Sequence, residues 1–76
     1  MRFAQAARKH RIGQGHALYV MDNSDPAVLE EPDTPVRFVW LAPDDRGIDL
    51  EIVALDLADY LLVIHVMPHQ LRRRSP

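Results

Sequence analysis

The chain has no cysteine, a single lysine and only three glycines among its 76 residues. Without cysteine, no disulfide can staple the fold, and no thiolate can bind a metal or act as a nucleophile. The pair Gly13 and Gly15 is too sparse for a nucleotide-binding loop. Neither an apolar signal segment nor an apolar run of about 18 residues is present, which predicts a cytoplasmic protein without membrane contact.

Metal-binding and hydrolase motifs are also lacking. The four histidines do not have the spacing of metal ligands: His10, His16, His65 and His69. A Ser-His-Asp order and a pair of catalytic carboxylates do not occur either. The sequence therefore predicts no metal and no other cofactor.

The length allows one domain, residues 1–76, of which 72–76 form a basic tail. Apolar residues make up 47% of the chain, which is typical of a globular domain. A domain this short buries only about 60% of the surface that it exposes when unfolded. A partner, an oligomer or very good packing is therefore expected to stabilise it.

The net charge of −2 conceals three segments of different sign. Residues 1–12 carry +4 and residues 60–76 carry +3, whereas residues 13–59 carry −9. Basic ends around an acidic middle are consistent with a polyanion-binding surface built by both termini. They are equally consistent with ends that neutralise the middle inside the fold.

The spacing of apolar residues predicts one or two helices at the start of the chain. From Phe3 onward, apolar residues at i, i+3 and i+4 indicate a helix over residues 2–11. A second helix is predicted over 14–22. It ends before Asp25-Pro26, because the residue preceding a proline disfavours the α conformation.

Three β-rich segments follow at 36–41, 48–57 and 60–67, with a short extended stretch at 27–29. The connections between them are too short for parallel crossovers, and Gly47 suits a positive φ in the first turn. The predicted class is α+β. One or two N-terminal helices pack on a three- or four-stranded antiparallel meander sheet, with little or no C-terminal helix.

His65 stands on an otherwise apolar strand and has two interpretations. It is either a hydrogen-bonded core histidine or a general acid or base on a rigid strand. Glu51, on the neighbouring strand, could pair with His65 or with Arg46, or could face solvent.

The arginines and the tryptophan also leave alternatives open. Arg46 is a solvated turn charge or a phosphate contact. Arg72-Arg73-Arg74 is a solvated tail or a polyanion-binding segment, since arginine binds phosphate bidentately. Trp40 is a core residue or a platform for base stacking.

Taken in order along residues 8–73, seven short motifs resemble a known family. They are Lys9-His10-Arg11-Ile12, Asp25-Pro26, Arg37-Phe38-Val39-Trp40-Leu41, Asp44-Asp45-Arg46-Gly47, Leu50-Glu51-Ile52-Val53, Val63-Ile64-His65-Val66-Met67-Pro68 and Arg72-Arg73. This order resembles the BrnT-like toxins of bacterial type II toxin–antitoxin pairs, within the RelE/ParE superfamily.

The resemblance implies a RelE-like fold and a metal-independent endoribonuclease that inhibits growth and is neutralised by a cognate antitoxin protein. RNA or the ribosome would be its target, cleaved by in-line attack of a ribose 2′-hydroxyl on the adjacent phosphate. It implies catalytic roles for His65, Arg46 and Arg72. It implies RNA binding by the other basic residues: Lys9, His10, Arg11, Arg73 and Arg74.

Two other functions remain open. One is a non-catalytic interaction module or degenerate toxin that pairs with a partner protein or with itself, which the small core and apolar last strand favour. The other is a toxin of the related gyrase-poisoning branch. The ribonuclease hypothesis requires both basic ends to converge beside His65.

Overall fold

The protein is an α+β domain with one helix and a five-stranded mixed sheet. A computed structural model describes residues 1–69. Its elements in chain order are β1 (Arg2–Phe3), a 3₁₀ helix (Gln5–Arg8), α1 (Gln14–Asn23), β2 (Ala27–Leu29), β3 (Val36–Pro43), β4 (Asp49–Leu57) and β5 (Tyr60–Pro68). The order of strands across the sheet is β1-β5-β4-β3-β2.

Strands β2 to β5 form an antiparallel meander, because each pair is joined by a short connection. Trp40 lies opposite Ile52, which lies opposite Val66, and this register aligns the apolar faces of the three long strands. The predicted strands and the extended stretch at 27–29 therefore correspond to observed strands. Gly47 has the positive φ expected of it, at 82°.

A β-bulge interrupts the pairing of β4 with β5. Val53 lies opposite His65 and Ala54 lies opposite Val63, so Ile64 is an extra residue without a partner in β4. Strict alternation would place Val63 and Val66 on opposite faces. The bulge lets both valines reach the core, with exposures of 0% and 2%, and places His65 on the opposite face.

The core lies between the sheet and the two helices. Ala17 and Val20 of α1 and Ala7 of the 3₁₀ helix belong to the same buried cluster as the inward residues of the strands: Trp40, Leu50, Ile52, Ala54, Val63 and Val66. Trp40 is 6% exposed and packs near Phe38, with ring centroids 6.1 Å apart. It is therefore a core residue, and its ring is not available for base stacking.

Helix α1 begins at the predicted residue and ends one residue later than expected. Its end is set by side chains that bond to the last carbonyl groups of the helix. Asn23 Nδ2 donates to Tyr19 O at 2.8 Å, and Ser24 Oγ donates to Val20 O at 2.6 Å. The chain then turns into the extended segment at Pro26.

The prediction of a first helix over residues 2–11 was wrong. Arg2–Phe3 instead forms a strand parallel to β5, and Ala4 N donates to Val63 O at 2.8 Å. Only Gln5–Arg8 is helical, as a 3₁₀ turn. The added parallel strand makes the sheet mixed with five strands, so the prediction of a purely antiparallel sheet of three or four strands was also wrong. Within residues 1–69, no helix is long and apolar enough to span a membrane.

Candidate functional site

The two faces of the sheet differ in what covers them. Leu50, Ile52 and Ala54 of β4 are fully buried beneath the helices, and alternation turns Glu51 and Val53 to the other side. Both helices contribute their buried residues to the same core, so they lie on one face only. No other element of residues 1–69 covers the opposite face, which we call the open face.

The strand register arranges the open face in rows across β5, β4 and β3. The first row is Leu62, Leu55 and Arg37, the second is His65, Val53 and Val39, and the third is Met67, Glu51 and Leu41. Arg2 and Leu29 extend the first row at its two ends, and Asp49 lies one row beyond Glu51. The open face is therefore apolar in its middle.

The open face exposes large apolar side chains to solvent. Leu41 is 54% exposed and Leu29 is 49% exposed, while the apolar residues of β4 and β5 on this face are half-buried. Large exposed apolar patches usually mark an interaction surface. The open face is thus the first candidate functional surface.

Glu51 and His65 form a carboxylate–imidazole pair within the open face. Glu51 Oε2 lies 3.2 Å from His65 Nε2, which is within ion-pair distance. The described residues offer Nε2 no hydrogen bond of good geometry. The His65 side chain is 34% exposed and that of Glu51 is 11% exposed. A carboxylate beside an accessible imidazole can support proton transfer, because it stabilises the imidazolium form.

Arg46 is bound to its own turn. Its Nε and Nη2 atoms donate to Asp44 Oδ2 at 3.0 and 2.7 Å, a bidentate contact. Asp44 Oδ1 accepts from the backbone N–H groups of Arg46 and Ile48 at 2.8 and 3.1 Å. Burial alone raises the pKa of Asp44. The hydrogen bonds from Arg46 and the two backbone groups, together with the charge of Arg46, outweigh it and hold that pKa below its usual 3.8.

The N-terminal basic residues lie on the helix side of the sheet. Lys9, His10 and Arg11 follow the 3₁₀ helix and are exposed, with Arg11 at a φ of 56°. His65 faces the other side, so the N-terminal basic segment does not converge beside it as the ribonuclease hypothesis requires. Among residues 1–69, no ion pair or hydrogen bond joins His65, Arg46 and this basic segment. The three predicted residues of the arginine run, Arg72, Arg73 and Arg74, lie outside the described residues.

Within residues 1–69, one group of side chains could hold a metal ion, because its potential ligand atoms lie within 4.8 Å of one another. The group is His16, Asp44 and Asp45. His16 Nδ1 lies 2.6 Å from Asp45 Oδ1. Both oxygens of Asp44 already accept hydrogen bonds, and the guanidinium of Arg46 lies beside them. A cation would be repelled there, so these residues fit a structural contact between α1 and the β3–β4 turn better than a metal site.

Comparison of the chain with models of protein families, with curated proteins and with solved structures finds no match. The resemblance to BrnT-like toxins therefore stays a prediction from short motifs.

Sequence reasoning missed three charged residues of the open face. Arg2, Arg37 and Asp49 are placed there by the register of β1, β3 and β4. Alternation along the strands was the available signal for Arg37 and Asp49. No such signal existed for Arg2, because its segment has the apolar spacing of a helix.

Proposed function

We propose that this protein is a protein-interaction module that docks another polypeptide on its open face. The single observation that carries this proposal is the apolar middle of the sheet, which no element of residues 1–69 covers and beside which Leu41 is 54% exposed. A sheet of a small domain normally buries one face and covers the other with polar side chains. Here the uncovered face is apolar, so burial against a partner would remove it from water.

The charges on the open face favour a polypeptide over a nucleic acid. Glu51 is nearly buried within the face and Asp49 lies one row further, so a phosphate backbone across this end would meet two carboxylates. Nucleic-acid-binding surfaces instead concentrate positive charge along the path of the phosphates. An apolar centre with charges at its ends matches the usual pattern of protein interfaces.

Site-specific photo-cross-linking tests the docking proposal. A photoreactive phenylalanine analogue replaces Leu41 on the open face, or Tyr19 on α1, which is 43% exposed and serves as the matched control. We expect protein adducts at position 41, lost when Leu55 is changed to Glu, and few at position 19. Equal labelling at both positions, or none at position 41, would contradict the proposal.

One observation favours a second function, the metal-independent ribonuclease of a toxin–antitoxin pair. The Glu51–His65 pair supplies the acid–base element that such chemistry needs. In that scheme His65 takes the proton of the ribose 2′-hydroxyl and returns it to the leaving 5′-oxygen, with Glu51 beside the imidazolium. Arg46 would have to leave its bidentate contact with Asp44 before it, with Arg72, could neutralise the phosphate. RNA or the ribosome would be the target, and the cognate antitoxin would cover the open face.

Expression of the chain alone in bacteria tests this second function. Growth arrest with RNA cleavage is expected, and His65→Ala should relieve it while His16→Ala, an imidazole outside the site, should not. Circular dichroism must show that both variants fold. Growth at the normal rate at every expression level, with intact RNA, would end the toxin hypothesis and leave the docking proposal untouched.

A further inference from the structure

We propose that the occupant of the open face is a second copy of this chain, packed face to face with its strands running in the reversed direction. This inference rests on the proposed docking function and names its partner. It follows from how the charged side chains are distributed along the strands of the open face.

Opposite ends of the open face carry opposite charges. Arg2 and Arg37 share the row next to that of Leu57 and Tyr60 at one end, and Glu51 and Asp49 occupy the last two rows at the other. Within residues 1–69, Arg2, Arg37 and Asp49 make no ion pair. Four residues separate Arg37 from Leu41 in the Glu51 row, which corresponds to about 13 Å along the strand. The open face thus carries arginines toward one end and carboxylates toward the other.

A two-fold axis that lies in the interface and runs across the strands brings the arginine end of each copy onto the carboxylate end of the other. It places the Arg37 row of one copy over the Glu51 row of the other, and the reverse, so both junctions become complementary. The middle row then meets itself, which brings the apolar Val39 and Val53 of the two copies together. The same middle row places His65 over the His65 of the other copy, and the Asp49 row lies over the row of Leu57 and Tyr60.

The alternative two-fold axis, along the strands, gives the opposite result. It places each row over the same row of the other copy, so the row of Arg2 and Arg37 meets itself and the row of Glu51 meets itself. Only the arrangement with reversed strands combines apolar contact in the middle with opposite charges at the ends. The charge distribution therefore selects one of the two symmetric packings.

The size of the face predicts a weak, reversible dimer. Strands β3 to β5 are eight or nine residues long, which gives a surface of about 27 by 14 Å before the edge strands are added. A stable standard interface buries about 800 Å² per partner. The open face is smaller than that, so the dimer should dissociate on dilution.

Sedimentation velocity over a range of concentrations tests the dimer with a charge-swap pair. Arg37→Asp alone and Asp49→Arg alone each place like charges at both junctions, so each should weaken self-association about tenfold or more. An equimolar mixture of the two variants should associate nearly as well as the original chain, because both junctions of the mixed dimer are complementary. Arg8→Asp and Asp22→Arg, exposed on the helix side, are matched controls and should change nothing.

Substitutions at the exposed Leu41 provide a second test that does not depend on the charged pair. In the reversed packing this position lies over Arg37 of the other copy. Leu41→Arg should therefore weaken the dimer about tenfold more than Leu41→Glu. Equal effects of the two substitutions would overturn the reversed arrangement.

Failure of the dimer and failure of docking give different results. If the chain is monomeric at all concentrations while position 41 cross-links to a different protein, the second copy is wrong and the docking function stands. If position 41 forms no adduct at all, both are wrong. A dimer that tolerates every charge swap would contradict the reversed packing alone.

Discussion

The two faces of the sheet use the same strands for different purposes. On the face covered by the helices, Leu50, Ile52 and Ala54 have no exposed surface, and the packing of α1 and the 3₁₀ helix depends on them. On the open face, Leu41 and Leu29 are about half exposed, and a carboxylate lies among apolar side chains. The covered face holds the fold together, whereas the open face leaves apolar side chains exposed among residues 1–69.

The apolar sequence of β4 and β5 does not by itself distinguish the core face from the exposed face. Both faces of β4 and β5 are rich in apolar residues, so composition suggests a strand covered on both sides. The distribution of the helices decides the matter, because both pack on the same side. A change on either face should therefore have very different effects on stability.

Truncating a side chain on each face gives the largest expected difference. Ile52→Ala on the covered face should lower the free energy of unfolding by about 2–5 kcal/mol, because it leaves a cavity in the core. Val53→Ala, next in sequence and on the open face, should cost far less. Urea unfolding of both variants measures this, and similar losses for the two would show that the open face is packed as tightly as the core.

Substitutions in the β3–β4 turn should have the next largest effect on stability. Asp44→Ala removes the acceptor of two backbone N–H groups and of the Arg46 guanidinium, and should cost about 1–3 kcal/mol of unfolding free energy. Asp45→Ala, the neighbouring exposed aspartate, is the matched control and should cost less. An Asp44→Ala variant as stable as the original chain would mean that the turn forms without this network.

Much of the fold was predictable because its signals are local. The strands over 36–43, 49–57 and 60–68 follow from dense β-branched residues and from turn residues such as Gly47. Helix α1 follows from apolar spacing and the stop at Pro26. The first segment was misjudged because its helical spacing is real, yet Arg2–Phe3 gains more from pairing with β5, a contact about 60 residues away.

The candidate site was less predictable, and the bulge at Ile64 shows why. Alternation counted from Val63 places His65 in the core, whereas alternation counted back from Val66 places it on the opposite face. Only the register, with Ile64 unpaired, decides between them. The pairing of Glu51 with His65 was one of several alternatives at the sequence level. The contact of His16 with Asp45 had no sequence signal, since 29 residues separate them.

A fall in pH should reduce the stability that Asp44 gives to the β3–β4 turn, whereas the packing of apolar side chains does not depend on protonation. The pKa of Asp44 is lower in the folded chain than its usual value, so the unfolded chain binds more protons in this range. Its contribution to stability is complete above the usual pKa of 3.8, which the unfolded chain retains, and is lost as pH falls through the lower folded pKa. Asp44→Asn should lack this loss.

Urea unfolding between pH 6 and pH 2 measures the difference between the two proteins. The stability advantage of the original chain over Asp44→Asn should shrink as the pH falls below about 4. A constant difference across the whole range would contradict the assignment of the low pKa to Asp44. Asp22→Asn, an exposed aspartate on α1, controls for the general effect of removing one charge.

The smallest expected effect on stability concerns the charges of the open face. The Arg2 guanidinium lies 4.5 Å from the ring centroid of Tyr60, a contact worth about 0.5–1 kcal/mol at an exposed site. Arg2→Gln should therefore lower the free energy of unfolding by no more than that, and Arg37→Gln, without an ion pair in residues 1–69, by less still. If both variants fold normally yet lose self-association, then these arginines serve binding and not the fold. A large loss of stability in either variant would instead make the positive end of the open face a structural feature, and would remove the sharpest difference between the two sides of the sheet.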